Sequence, residues 1–296
     1  MKRLLNYQIS VKDDNKTITQ FLKEHDFPRR VITNMKKTQN GICINHKWSY
    51  VIDHLHEGDV LELIIDETDE SSDIIPCNLE FGIIYEDEDI LIVNKPANMP
   101  IHPSINNYDN TLANAVMYYY RDDNFVFRCI NRLDRDTSGL TIIAKNSLSG
   151  AILSKQVANR QLHRTYTAIC TGHTPDEGTI SAPIGRKSES TIERCVDFKN
   201  GERAVTHYRT IGYDRTKDLS LVELQLETGR THQIRVHMKY ILHPLIGDFL
   251  YNPDIDYIDR QALHSSKLQF YHPITKKEMQ FSIPLPSDMK CIFDFI

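Results

Sequence analysis

Apolar positions along the chain follow two periods, and the strongest elements can be read from them. Leu140-Thr-Ile-Ile-Ala144 is an unbroken, β-branched run and predicts a buried strand. Val222, Leu224 and Leu226 alternate with polar residues and predict a half-buried strand running into Thr228-Gly229-Arg230. Ile234, Met238 and Ile241 then recur at helical spacing, with Thr231 as N-cap and with His232, Arg235 and Lys239 on another face. Residues 164–170 alternate too and place Tyr166, Ala168 and Cys170 on one strand face. Ile83-Ile-Tyr85 and Ile90-Leu-Ile-Val93 flank Glu86-Asp-Glu-Asp89 as a hairpin. A second hairpin is expected from Lys267–Tyr271 and Met279–Ile283, with Pro284 and Pro286 stopping the sheet. Residues 110–120 read as a helix whose tyrosines pack. Ser147 is expected to cap a helix carrying Leu148, Ile152, Leu153 and Val157.

The first 70 residues read as a small module. Thr17 caps a helix with Ile18, Phe21, Leu22 and His25 inward. Pro28 opens a second helix with Val31, Ile32 and Met35, and Gly41 ends it. Strands are expected at Ile42–Asn45 and, after a Gly58-Asp59 turn, at Val60–Ile65. Residues 71–78 are polar and acidic and read as a linker that lets the module seek a partner separately from the main body, residues 79–296. Residues 172–203 are rich in Gly, Ser, Thr and charge. They contain a strand edge near 180–184 and a basic Gly185-Arg186-Lys187, as either a mobile loop or a solvated excursion.

Composition narrows the function classes. Of 296 residues, 40% are hydrophobic and 25% charged, which suits a soluble chain with one large and one small unit. No apolar run reaches membrane length, and no signal peptide follows Met1-Lys-Arg, so a cytoplasmic protein is expected. The six cysteines are scattered and the thirteen histidines dispersed, so no metal site and no cofactor are expected. The net charge of −5 is awkward for a nucleic-acid partner. The acid is concentrated between Glu57 and Asp89, however, and the rest of the chain is net basic.

Two stretches carry candidate chemistry. Arg132-Leu-Asp-Arg-Asp-Thr-Ser-Gly139 crowds charge into a loop at the mouth of a buried strand, a rigid mount for a reactive carboxylate. The residues alone leave this open, because Asp134 and Asp136 also suit a solvated turn or bonds to backbone amides. The cationic face of the 231–241 helix, beside a strand end, suits a carboxylate or a phosphate.

Together these stretches resemble the RluA family of RNA pseudouridine synthases. Further pieces agree in order: Asn94-Lys-Pro96, His102-Pro103, Arg164-Thr-Tyr166, Ala204-Val-Thr206, His243-Pro-Leu-Ile-Gly-Asp248, Leu263-His264 and His272-Pro273. Two positions depart. Asn131 stands where the family usually has histidine, and Asn98 where glycine is common. The resemblance implies an α+β fold, with a mixed, largely antiparallel sheet core, flanking helices and a small α/β N-terminal domain. It implies that Asp134 is the essential carboxylate of uridine isomerisation, without cofactor, and that Asp136 is a turn or salt-bridge residue. Arg235 is then the ion-pair partner that grips Asp134 through two oxygens, with Arg230 as the rival and otherwise a phosphate contact. Tyr166 stacks on uracil and assists proton removal. From charge and position beside Asp134, Arg132 and Arg135 are expected to fill the space left by the extruded base or to grip adjacent phosphates.

Residues 1–70 are similar to the S-four-type RNA-binding domain, with Arg29, Arg30, Lys36 and Lys37 as its RNA contacts. The chain is expected to be a monomer, and its expected partner is large-subunit ribosomal RNA. Transfer-RNA enzymes share the core motifs, and Asn131 leaves open a non-catalytic RNA-binding or ribosome-assembly protein of the same fold. A glycosidase would need two carboxylates farther apart than Asp134 and Asp136.

Overall fold

The computed structural model describes residues 1–67, 74–187, 192–253 and 257–293. The front unit contains β1 (Lys2–Gln8), α1 (Ile18–Glu24), α2 (Arg29–Lys37), β2 (Ile42–Ile44), β3 (Lys47–Trp48) and β4 (Val60–Asp66). Its sheet has the order β1-β4-β2-β3. Thr17 caps α1 in a reciprocal box with Gln20. Pro28 is the N-cap of α2 rather than its first residue. That helix ends at Lys37, before Gly41.

The body opens with β5 (Gly82–Glu86), β6 (Ile90–Lys95), α3 (Leu112–Tyr119), β7 (Ser138–Ala144) and α4 (Ser147–Ala158). Next come β8 (His163–Thr171), β9 (Glu177–Ser181), β10 (Ile184–Arg186), β11 (Arg194–Val196), β12 (Val205–Asp214) and β13 (Leu219–Leu226). It closes with α5 (Gln233–Tyr240), β14 (Leu263–Tyr271), β15 (Glu278–Ser282) and α6 (Ser287–Lys290). Its main sheet runs β5-β6-β7-β14-β8-β13-β12-β9, with β15 also on β14. Most pairs are antiparallel, and β7 with β14 is parallel. This is the expected α+β fold with a mixed, largely antiparallel sheet.

The parallel junction positions the Asp134 loop. His264 pairs with Ser138 and Ser265 with Gly139. Gly139 has φ +113°, and a Cβ there would run into the Ser265 backbone, so only glycine lets β7 approach β14. Ser138 Oγ meets His264 Nδ1 at 2.8 Å and ties the same point through side chains.

Two caps differ from the sequence reading. Asn146, not Ser147, caps α4, its side chain accepting the Ser149 amide at 2.8 Å. The N-cap of α5 is His232, not Thr231, and it takes the left-handed conformation at φ 57°. The 172–203 region holds three short strands, of which β10 and β11 pair with each other. Residues 188–191 between them lie outside the described residues.

The front unit is fastened to the body. Leu148 and Ile152 of α4 share one apolar cluster with Ile18, Phe21, Leu22 and Phe27. Arg3 forks onto Asp89 at 3.1 and 3.0 Å, and Lys155 reaches Asp26 at 2.6 Å. Glu67 is buried, pairs with Arg128 and accepts the Ser147 amide at 2.6 Å. In the segment read as a linker, residues 71–73 lie outside the described residues, and Ile74 packs against the body's core. These contacts are not those of a module that searches independently of the body.

Candidate active site

The loop carrying Asp134 is held from both sides. At its entrance, Asn131 is 1% exposed and its carboxamide clasps β7. Its Nδ2 donates to the Leu140 carbonyl at 3.0 Å, and its Oδ1 accepts the Ile142 amide at 2.8 Å. The departure from histidine therefore puts a backbone clamp beside the carboxylate. On the far side Lys95, fully buried, donates to the carbonyls of Pro96, Met99 and Arg135 at 2.7, 2.8 and 2.9 Å. Burial lowers its pKa to about 7, against the attraction of Asp136 and Asp134. A turn from Asp134 to Thr137 and a hydrogen bond from Arg260 to the Asp136 carbonyl complete the frame.

Asp134 lines a cavity of about 550 Å³ together with Tyr166, Arg235 and His232. Arg235 is buried, and its Nη1 donates to Asp134 Oδ2 at 3.2 Å. The fork itself closes on Asp248, with Nε and Nη2 each at 2.7 Å from its carboxylate oxygens. The expected two-pronged grip on Asp134 is thus a single contact, and the two-pronged partner is Asp248. Asp248 is fully buried and also accepts the amides of Leu250 and Tyr251. The Tyr251 ring lies 5.0 Å from the Arg235 guanidinium carbon. His232 places Nε2 3.9 Å from Asp134 and Nδ1 3.0 Å from the Tyr251 hydroxyl. Burial outweighs the pull of Asp134 and keeps its pKa below the ordinary histidine value.

Tyr166 is 4% exposed and packs with Leu133, Ile234 and Leu263. Burial raises its pKa, Asp134 adds to that rise, and Arg164 opposes it. Its hydroxyl forms no hydrogen bond among the described residues, so the ring is fixed by packing while the oxygen is available to a ligand.

The other predicted residues are distributed unevenly. Arg132 is exposed and lines the cavity. Arg230 lines it too but is paired with Glu202. Arg135 forks onto Asp136 at 2.9–3.1 Å, which makes Asp136 a salt-bridge residue, and faces a neighbouring cavity with Arg186 and Arg194. Arg29, Arg30, Lys36 and Lys37 are exposed on α2 in the front unit, outside the Asp134 cavity. Lys95 and Asp248 were visible only as members of motifs. Their spacing gives no sign that each reaches the site from a distant segment.

The RNA pseudouridylate synthase family matches residues 89–240. An uncharacterised RNA pseudouridine synthase of Bacillus subtilis (strain 168), YhcT, is 39% identical over 97% of this chain and 96% of its own. Ribosomal large subunit pseudouridine synthase D of Escherichia coli (strain K12) is 39% identical over 75% of this chain and 72% of its own. Among solved structures, human RNA pseudouridylate synthase domain containing 1 superposes with a TM-score of 0.59 at 28% identity, covering 69% of this chain and 83% of that one. The chain belongs to the RNA pseudouridine synthases, in the RluA family that its motifs resemble. It is an isomerase that acts on RNA.

Proposed function

We propose that the protein isomerises specific uridines of large-subunit ribosomal RNA, as a cytoplasmic monomer, with Asp134 as nucleophile. The observation that carries this is the Asp134 carboxylate, partly open to the cavity and paired at 3.2 Å with an arginine that is itself locked by Asp248. The name of the Escherichia coli relative supports the ribosomal target.

The reaction breaks the bond between ribose carbon 1′ and uracil nitrogen 1, and joins carbon 1′ to carbon 5. A proton leaves carbon 5, nitrogen 1 ends protonated, and no water is consumed. Asp134 acts on the ribose side of the broken bond. Arg235 holds it aimed, because the guanidinium cannot swing away without leaving the buried Asp248 uncompensated. The Tyr166 ring stacks on the freed uracil. Burial disfavours ionisation of its hydroxyl, so the hydroxyl assists as a relay that takes the carbon 5 proton while passing its own to nitrogen 1. A stacked uridine must first be extruded, and Arg132 and Arg135 flank the place it enters.

The front unit, similar to the S-four-type domain, adds contacts through Arg29, Arg30, Lys36 and Lys37, while Arg230 contributes from the rim. No helix among the described residues is long and apolar enough to cross a membrane. The test is a comparison of pseudouridine maps of all stable RNAs from cells with and without the gene. Loss of sites confined to large-subunit ribosomal RNA is expected, and loss confined to transfer RNA would overturn the target.

A further inference from the structure

Four arginines line the cavity above Asp134: Arg132, Arg164, Arg230 and Arg235. Two are neutralised within the chain, Arg230 by Glu202 and Arg235 by Asp134 and Asp248. Glu227, just past β13, is occupied by Arg160, Arg203 and His207. Arg132 and Arg164 have no carboxylate partner among the described residues. Arg132 is exposed and hydrated, so its free charge costs little. Arg164 is half-buried, and its Nε is shut off from solvent with no acceptor. A desolvated guanidinium N–H without an acceptor is unfavourable, and with no carboxylate partner the charge of Arg164 is left to be met from the cavity.

The placement is specific. Strand alternation puts Arg164 on the same face of β8 as Tyr166, two residues on. Its guanidinium lies against the backbone of Gly229, where an added Cβ would sit 3.3 Å from Nη1. The charge is therefore held between β8 and the Thr228–Arg230 turn, at the more open end of a face whose inner residue is the packed tyrosine. A neutral uracil carbonyl would satisfy an N–H but leave the charge without a counter-ion. A phosphate supplies both, and its oxygens match the planar fork.

We propose that Arg164 is the anion subsite of this cavity, where its guanidinium binds a backbone phosphate of the RNA strand that delivers the uridine to Asp134. This rests on the reading of the cavity as a uridine-isomerising site. It assigns substrate binding to a residue that also opposes the burial-driven rise in the pKa of its neighbour Tyr166.

The test uses the full-length protein and an unmodified transcript of large-subunit ribosomal RNA from the source organism. Affinity is measured across a salt series for wild type, Arg164→Gln, Arg164→Met and Arg164→Lys, with pseudouridine formation by wild type followed on the same RNA. Either neutral variant is expected to bind about tenfold more weakly and to lose about one from the slope of log affinity against log salt. Arg164→Lys is expected to keep the slope. A folded neutral variant with unchanged slope and affinity overturns the subsite, as does weakened binding with the slope retained, which would indicate a contact to the base. If neither neutral variant folds, Arg164 is a structural brace and the assignment fails. Wild type that makes no pseudouridine in this RNA sinks the underlying reading instead, whatever the slopes.

Discussion

Arg235 shows why residue identity matters more than charge at this site. One guanidinium serves two carboxylates, the fork on Asp248 and one remaining N–H on Asp134. Lysine is a point charge and cannot span both. Arg235→Lys should therefore fall close to Arg235→Leu in single-turnover rate, at least about tenfold below wild type, rather than acting as a mild variant. A near-normal rate for Arg235→Lys would show that charge alone suffices. Tyr166 leads to a different expectation. Its hydroxyl has no partner among the described residues, and its ring carries the packing. Tyr166→Phe should leave the melting temperature nearly unchanged while the rate falls by about 100-fold. Equal losses of stability and rate would make it a core residue. The sequence singled out both residues through motifs. It could not show the division of Arg235, because Asp248 lies thirteen positions away and its approach depends on the turn after α5. The role of Asn131 was hidden likewise, since its partners are backbone atoms of β7.

Elements with one clear period were legible: β7 as an apolar run, β8 and β13 as strands, although β8 is buried on both faces rather than one, and the buried side of α5. Cap positions were less so. Thr231 has the better capping side chain, yet the chain turns through a left-handed His232, whose imidazole reaches Tyr251 instead. The meeting of β7 with β14 joins segments 126 residues apart, and no local pattern announces it. His264 at that junction has its pKa lowered to about 4, chiefly by burial and also by Arg260. An unfolded histidine titrates near 6.5. Between those values the unfolded chain binds a proton that the folded one refuses, so stability must fall as pH drops from about 6.5 to about 4, by up to about 3 kcal/mol. Urea midpoints at several pH values should flatten over this window in His264→Gln. An unchanged acid slope would place the titration elsewhere.

For the whole molecule, the front unit and body share an apolar cluster and a buried carboxylate. Asp89 is 3% exposed and depends on Arg3 for its charge partner, with Asn146 and Ser149 as further donors. Arg3→Leu should cost about 3 kcal/mol, because a buried carboxylate loses its cation. Calorimetry should show a lower transition for the whole chain, and an unaltered one would mean the units are not coupled here. The acidic stretch that made the net charge awkward is partly this fastening, with Glu67 and Asp89 turned inward. The proposed chemistry depends on one carboxylate, Asp134. The most direct measurement is single-turnover pseudouridine formation on an unmodified large-subunit ribosomal RNA transcript by wild type, Asp134→Asn and Asp136→Asn, with binding to the same RNA followed in parallel. Asp134→Asn is predicted to bind RNA and form no pseudouridine, while Asp136→Asn keeps measurable turnover. Substantial turnover by Asp134→Asn beside an inactive Asp136→Asn would contradict it.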